Sequence, residues 1–318
     1  MSHMITRVSP KISVVVPTCN RPRSLAALVA GLRTQRLPAN EFEVIVVDDG
    51  SKPPIELAAD GLAVRVLRHE HPRGPGAARN TGWQAALAPT IAFIDDDCVP
   101  SEQWLAELHE SCSSADSDAS VVQAPVQPQP AQRDRLRPLS HTIEVTGPDR
   151  LFACCNIAYS RALLQRLGGF DERLRRSGED VDLGTRALKA GASAGFAPGA
   201  VVYHEITQPG LAGLIRHTLK WTDSVRVLSM HPELRQLLIA GIFWKRTHPL
   251  LLLAVAGIAS RRRLLSLAAC VPYLDHYRRV YRGQYRQLVK ALPVHVVLDA
   301  TEVATVLAAS VRHRSLML

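Results

Sequence analysis

The apolar positions of this chain follow two alternating rhythms. Ile12 to Val16, Val44 to Val47, Ala63 to Leu67 and Ile91 to Ile94 are short, mostly β-branched runs, each closed by polar or turn-forming residues. Such runs predict buried strands. Between them the period changes. Leu25, Leu28, Val29 and Leu32 recur at helical spacing within residues 23–34, and Ala77 to Leu87 predicts a second helix behind the Gly/Pro-rich loop 72–76. This alternation calls for an α/β fold with a parallel, helix-covered sheet, in which ligands bind beyond the carboxyl ends of the strands. Residues 113–150 are rich in Ser, Gln, Pro and Arg and lack periodicity, which predicts a mobile connection with one edge strand. After the apolar stretch Leu151 to Ala158 come a helix over Ser160 to Leu167 and a second helix opening near Glu179 and stopping at Gly191. The run Phe196 to Tyr203 then leads into His204.

Carboxylates gather at the strand ends. Asp48-Asp49 closes the second apolar run and Asp95-Asp96-Asp97 closes the fourth. Three adjacent carboxylates at the end of a buried strand repel one another, so the placement requires a cation or hydrogen-bond donors. A solvated acidic turn is the plainer alternative. A divalent ion carrying a phosphorylated ligand is the other, because Mg2+ and Mn2+ favour hard oxygen ligands and share them with phosphates. Glu179, Asp180 and Asp182 crowd one helical turn; a helix N-terminus favours acidic residues there, and the crowding raises at least one pKa.

Six segments stand in a telling order. They are Val14-Val15-Val16-Pro17-Thr18-Cys19-Asn20-Arg21, Val46-Val47-Asp48-Asp49-Gly50-Ser51, Gly76-Ala77-Ala78-Arg79-Asn80-Thr81-Gly82, Asp95-Asp96-Asp97, Gly168-Gly169-Phe170-Asp171-Glu172 and Gly178-Glu179-Asp180. Over roughly residues 10–205 the chain resembles family 2 glycosyltransferases. The resemblance implies a GT-A fold, Rossmann-like with a mainly parallel sheet and helices on both faces. It also implies an inverting, metal-dependent transfer from a nucleoside-diphosphate sugar, with UDP as the family default. By the same resemblance, Pro17 and Thr18 hold the base, Asp49 accepts its imide N–H, and Arg79 meets base or diphosphate. Asp96 faces the ribose, Asp97 binds Mg2+ or Mn2+ with Asp95 as a supporting or second metal-side carboxylate, His204 completes the sphere, and Asp180 is the general base. Asp48 is then structural. For Arg79 a solvated surface position remains the alternative, and for His204 an ordinary core or surface histidine. Arg173, Arg175 and Arg176 either close over the diphosphate or belong to a solvated loop.

Charge separates the C-terminal third from the rest. Residues 211–318 carry 16 Lys and Arg against 5 Asp and Glu, a net of +11, and leave residues 1–210 at −2. That pattern suits an enzyme with a surface for anionic lipid better than a nucleic-acid binder. Domains are therefore expected at 5–210, catalytic, and 211–318, a C-terminal helical extension. Lys245-Arg246 and Arg261-Arg262-Arg263 bracket the apolar run Pro249 to Ala259, and Leu264 to Leu274 follows. Both runs fall short of the ~20 residues that span a bilayer. They predict either a hairpin dipping into one leaflet or helices packed on the catalytic domain or a second subunit. Seams at Leu211, Leu214, Thr218, Trp221, Val225 and Leu228, and at Val294, Val297, Thr301, Ala304, Ala308 and Val311, predict amphipathic helices. Six cysteines without metal-ligand spacing read as free thiols in a cytoplasmic protein held at the inner face of the cell membrane. Met1-Ser2-His3-Met4 reads as a tag remnant, with Met4 as the natural start. The expected partners are a nucleotide-sugar donor and a glycan or lipid-linked acceptor. The competing functions are a sugar-phosphate nucleotidyltransferase, for which residues 17–25 lack a Gly-rich phosphate signature, and a silent membrane-surface scaffold.

Overall fold

The first apolar runs become β1 (Ile12–Thr18), β2 (Phe42–Asp48), β3 (Val64–Arg68) and β4 (Thr90–Ile94), with α1 (Pro22–Arg33) and α2 (Pro75–Ala85) between them. The computed structural model describes residues 9–57, 61–113 and 119–318. β5 (Cys98–Pro100), α3 (Trp104–Ser113), β6 (Ser120–Gln123) and β7 (Val126–Pro128) follow, then β8 (Asn156–Ser160), α4 (Arg161–Leu167), α5 (Glu179–Lys189), β9 (Ser193–Phe196) and β10 (Val202–His204). Among the described residues the strands make a seven-stranded sheet, β3-β2-β1-β4-β8-β6-β9, and a three-stranded one, β5-β10-β7. In the larger sheet β8 alone runs against its neighbours, so the sheet is mainly parallel.

Strand alternation explains why both faces are covered. Val14, Val16, Val44, Val46, Ala92 and Ile94 point to one side, where they meet Leu25, Leu28 and Leu32 of α1 and Trp104, Leu105 and Leu108 of α3. Val15, Ile45, Val47, Ile91 and Phe93 point to the other, against Ala78 and Trp83 of α2, Leu163 and Leu164 of α4, and Leu183 of α5. Each strand is apolar at successive positions because each face has its own helical layer. Helix ends match their local chemistry: the Ser160 side chain caps α4 by accepting from the Leu163 N–H, and Gly168 ends it in the left-handed conformation.

The segment expected as a mobile connection is more ordered than its composition suggests. Residues 114–118 lie outside the described ones, but β6 sits between β8 and β9 inside the sheet, not at an edge. Polar Gln123 tolerates this position because its side chain exchanges hydrogen bonds with the Asp149 backbone. β7 is an edge strand, of the smaller sheet. The six cysteines are free.

The chain divides into two units, one ending at Thr207 and one comprising Arg137–Ser140 and Gln208–Leu318. The second holds α6 (Leu211–Thr218), α7 (Trp221–Met230), α8 (Thr247–Ala259), α9 (Arg263–Val280) and α10 (Tyr285–His313). Its interior combines apolar side chains such as Leu228, Leu251 and Val306 with a polar cluster. Asp299 of α10 accepts from the hydroxyls of Thr247 (3.0 Å), Tyr273 (2.9 Å) and Tyr277 (2.7 Å), and Glu302 accepts from Lys245 at 2.7 and 2.8 Å. The buried face of α10 is His295, Asp299, Glu302, Val306 and Ala309, and the seam expected through Val297, Ala304, Ala308 and Val311 is exposed. Periodicity located the helix and its apolar seam but did not reveal that the opposite face is the buried one, where the polar residues find partners inside the unit. The apolar runs near 249–274 are each too short to cross a bilayer, whereas the 29-residue α10 is long and apolar enough by length and composition.

Candidate functional site

Parallel strand ends bring the carboxylates together. β1 and β4 are neighbours, so Thr18 at the end of one lies beside the acidic triplet after the other, and the Thr18 hydroxyl donates to Asp96 Oδ2 at 2.7 Å. Arg21 Nη1 reaches Asp96 Oδ1 at 3.1 Å and Asp97 Oδ2 at 2.6 Å. Burial pushes the Asp96 carboxyl up to about 6 against the pull of Arg21 and the Thr18 hydroxyl, and the charges of Asp97 and Asp95 add to the rise.

Asp97 and His204 face each other across a small gap. The short strand β10 pairs with β5 in the register His204↔Cys98, which sets His204 next to the residue after the triplet. His204 Nδ1 lies 2.8 Å from the Glu205 carbonyl oxygen. A carbonyl only accepts, so Nδ1 carries the proton and Nε2 presents a lone pair. That lone pair is 3.6 Å from Asp97 Oδ1, a buried oxygen without a hydrogen-bond donor. A hard cation between the two atoms would satisfy both, and the residues therefore fit Mg2+ or Mn2+. The Cys98 thiol completes the same cluster. Its hydrogen bond with Cys155 and its burial hold it protonated, so it is a poor ligand for a hard ion.

A second group of charges stands behind the triplet. Arg79 of α2 is buried, with Nη2 on Asp95 Oδ1 and Nη1 on Glu179 Oε1, each at 2.7 Å, and its guanidinium carbon 5.7 Å from the centre of the Phe170 ring. Both terminal nitrogens are therefore committed to protein carboxylates. At 5% side-chain exposure Arg79 is not the solvated surface residue of the alternative reading; here it joins the two carboxylates as a strut. Next to Glu179, Asp180 is half-buried at the start of α5. Burial first and the Glu179 charge second push its carboxyl up to about 7, while Arg79 and the Val181 N–H oppose the rise. Asp182 is fully buried and paired with Arg186. Three acidic residues of one turn thus have three different environments.

Asp49 and Asp48 also differ. Asp48 accepts from the Ser51 and Ile55 N–H groups and pairs with Arg68, so it fastens the turn after β2. Asp49 accepts from the Arg73 and Gly74 N–H groups at 2.8 and 2.9 Å, and from His69 Nδ1 at 2.6 Å. Its carboxylate orients the 71–74 loop, and Pro17 is half-buried at the end of β1. The arginines after the Gly-Gly turn have partners as well. Arg173 pairs with Asp171, and Arg175 donates to the Pro72 carbonyl. Two contributors escaped the sequence reading. Asn80 bonds Phe170 through both backbone groups, joining α2 to the Gly168-Gly169 turn, and Arg21 covers the acidic triplet. Both belong to the quoted segments, but a lone polar residue in a motif does not announce which distant backbone it will meet.

Comparison with known proteins agrees with this geometry. Residues 13–168, just under half of the chain, match the family model described as glycosyl transferase family 2. It is 35% identical over 212 residues to a pre-mycofactocin glycosyltransferase of Mycobacterium tuberculosis, covering 61% of this chain and 42% of that protein. It is 28% identical over 238 residues to a hyaluronan synthase of Pasteurella multocida, covering 61% of this chain and 24% of that protein. The chain thus spans less than half the length of these curated relatives. Among solved structures, Staphylococcus aureus TarS in complex with UDP gives a TM-score of 0.52 at 18% identity, over 96% of this chain and 91% of that one. The mannosyltransferase PcManGT of Pyrobaculum calidifontis, in complex with GDP-Man and Mn2+, gives 0.54 at 16%, over 96% and 88%. The shared architecture is the GT-A fold.

The strut makes a direct prediction. Arg79→Met leaves two carboxylates near the sheet without their counter-charge and should destabilise the fold by about 3 kcal/mol or more. Chemical denaturation measures the change, and an unaltered midpoint would contradict the strut.

Proposed function

We propose that this chain is an inverting glycosyltransferase. It moves a sugar from a nucleoside-diphosphate donor, UDP-linked, to a hydroxyl of a cell-envelope glycan or lipid-linked acceptor. The observation that carries the reading is the pairing of an undonated, buried Asp97 oxygen with a His204 nitrogen whose lone pair is fixed; Asp180, half-buried and of raised pKa, adds to it. A bound Mg2+ or Mn2+ supplies Lewis-acid stabilisation of the departing diphosphate. Asp97 and His204 hold it. Asp96, oriented by Thr18, faces the donor's ribose, and Pro17 lies under the base with Asp49 shaping the loop beside it. Asp95 stays with Arg79 and keeps the strand end in register.

Asp180 accepts the acceptor hydroxyl's proton. A base with a pKa near neutrality combines a useful ionised fraction with real proton affinity. Glu179, held by Arg79, raises that affinity through its charge without taking part. Inversion then follows from a single displacement, with the hydroxyl and the diphosphate on opposite faces of the sugar.

The helical unit belongs at the cytoplasmic face of the membrane in this reading. Large apolar side chains stand in solvent there, Val311 at 77% exposure and Leu264 at 82%, the latter directly after Arg261, Arg262 and Arg263 in the chain. Apolar area of this kind and basic residues together favour anionic lipid.

Four measurements test these assignments. Calorimetric titration with UDP should show Mn2+-dependent binding that Asp97→Ala abolishes; equal wild-type affinity with and without Mn2+ removes the metal assignment. Asp180→Asn should retain donor binding and lose ~10²-fold or more in turnover. Because the ionised form is the base and its pKa is about 7, wild-type kcat/KM should fall about tenfold per pH unit on the acid side of that value. A flat profile between pH 5 and 8 would move the base elsewhere. Finally, the protein should co-sediment with anionic vesicles at low salt, less so at high salt, and charge reversal of Arg261, Arg262 and Arg263 should weaken this; recovery of all the wild-type protein in the supernatant counts against the membrane.

A further inference from the structure

Two arginines touch the acidic triplet, and they differ in their freedom to leave. Arg79 is enclosed and bonded at both ends. Arg21 precedes α1 on the turn after β1, and its side chain is 53% exposed, whereas the carboxylates it meets are 7% and 13% exposed. One nitrogen, Nη1, serves both Asp96 and Asp97. Its positive charge lies against the outer oxygen of Asp97, while the inner oxygen faces His204 undonated. A guanidinium in this position offsets the repulsion of adjacent carboxylates, which is the task of a bound cation.

We propose that Arg21 is a resident counter-cation that occupies the carboxylate pair in the free protein and yields it to the divalent ion. The inference rests on the reading of Asp97 as a metal ligand. Its consequence is a coupling between ligands. Metal alone must break or weaken the Arg21 pair to gain full use of Asp97, and two cations at one carboxylate repel each other. When a nucleoside diphosphate arrives with the metal, the displaced guanidinium finds an anionic partner. Metal and nucleotide therefore bind more tightly together than separately, and the coupling is reciprocal. Asp96, held in place by the Thr18 hydroxyl, does not depend on Arg21 for its orientation.

The test is Mn2+ titration of the full chain, with free Mn2+ followed by electron paramagnetic resonance, in the absence and presence of UDP. Arg21→Gln should bind Mn2+ without UDP about fivefold more tightly than wild type, the size of a half-exposed ion pair. UDP should then enhance Mn2+ binding less in the variant than in wild type. Arg21→Lys, which keeps the charge on a different head, should fall between the two and shows that a change in Arg21→Gln does not come from misfolding. Asp97→Ala is the control that identifies the site. If wild-type binding requires Asp97 but Arg21→Gln binds Mn2+ no more tightly, the counter-cation role is overturned and the metal site stands. If wild type binds no Mn2+ even with UDP, the metal reading and this inference fall together.

Discussion

The Arg79 guanidinium, enclosed between Asp95 and Glu179, is the constraint on which the site depends. A buried carboxylate without a partner is strongly disfavoured, and the sheet end carries several. Arg79 holds the residue after β4 and the first residue of α5 at a fixed distance from α2, although 84 positions separate the two acids in the chain. The Phe170 ring near its guanidinium and the Asn80 bonds to the Phe170 backbone brace the same helix against the Gly168-Gly169 turn. Gly169 has φ +72, and a Cβ there would lie 2.4 Å from Asn80 Oδ1, so this close approach admits only glycine. The region that positions Asp180 is therefore rigid for reasons of charge and sterics rather than propensity.

Around this strut the carboxylates divide by the donors each receives. Asp48, Asp182 and Glu179 are each met by an arginine and serve the fold. Asp97 keeps one oxygen undonated and Asp180 keeps a raised proton affinity, and these are the groups with chemistry to spare. Contact with an arginine does not by itself separate these acids, because Arg21 meets Asp97 and Glu179 also keeps an undonated oxygen; what sets Asp97 apart is the His204 nitrogen opposite its free oxygen, and what sets Asp180 apart is its raised pKa. His204 owes its orientation to a carbonyl: the Glu205 oxygen accepts from Nδ1, and strand pairing between β10 and β5 supplies the position.

The helical unit buries a polar cluster beside its apolar core and also leaves large apolar side chains exposed. Asp299 and Glu302 are inside it, neutralised by three hydroxyls and a lysine, and Leu253, Leu267 and Val289 are outside. Polar residues so enclosed bond to one another because no water reaches them, and an apolar exterior calls for a partner other than water.

The sequence by itself determined β1 to β4, α1, α2, α4, α5 and the α/β class, because continuous apolar runs, period 3.6 patterns and turn residues are local properties of the chain; β5, α3, β6, β7 and β9 were not legible in it. It also marked Asp97, Asp180 and His204 as candidates, through motifs whose residues are adjacent or nearly so. What only the tertiary structure decided was which partner each charge meets. Nothing along the chain pairs Arg79 with Glu179 until α5 brings the two together across 100 positions. β6 reads as a loose segment until β8 and β9 flank it, and α10 presents an apolar seam on paper but buries the opposite, polar face. Hydrogen-bond satisfaction and charge compensation are properties of long-range contacts, and no local pattern encodes them.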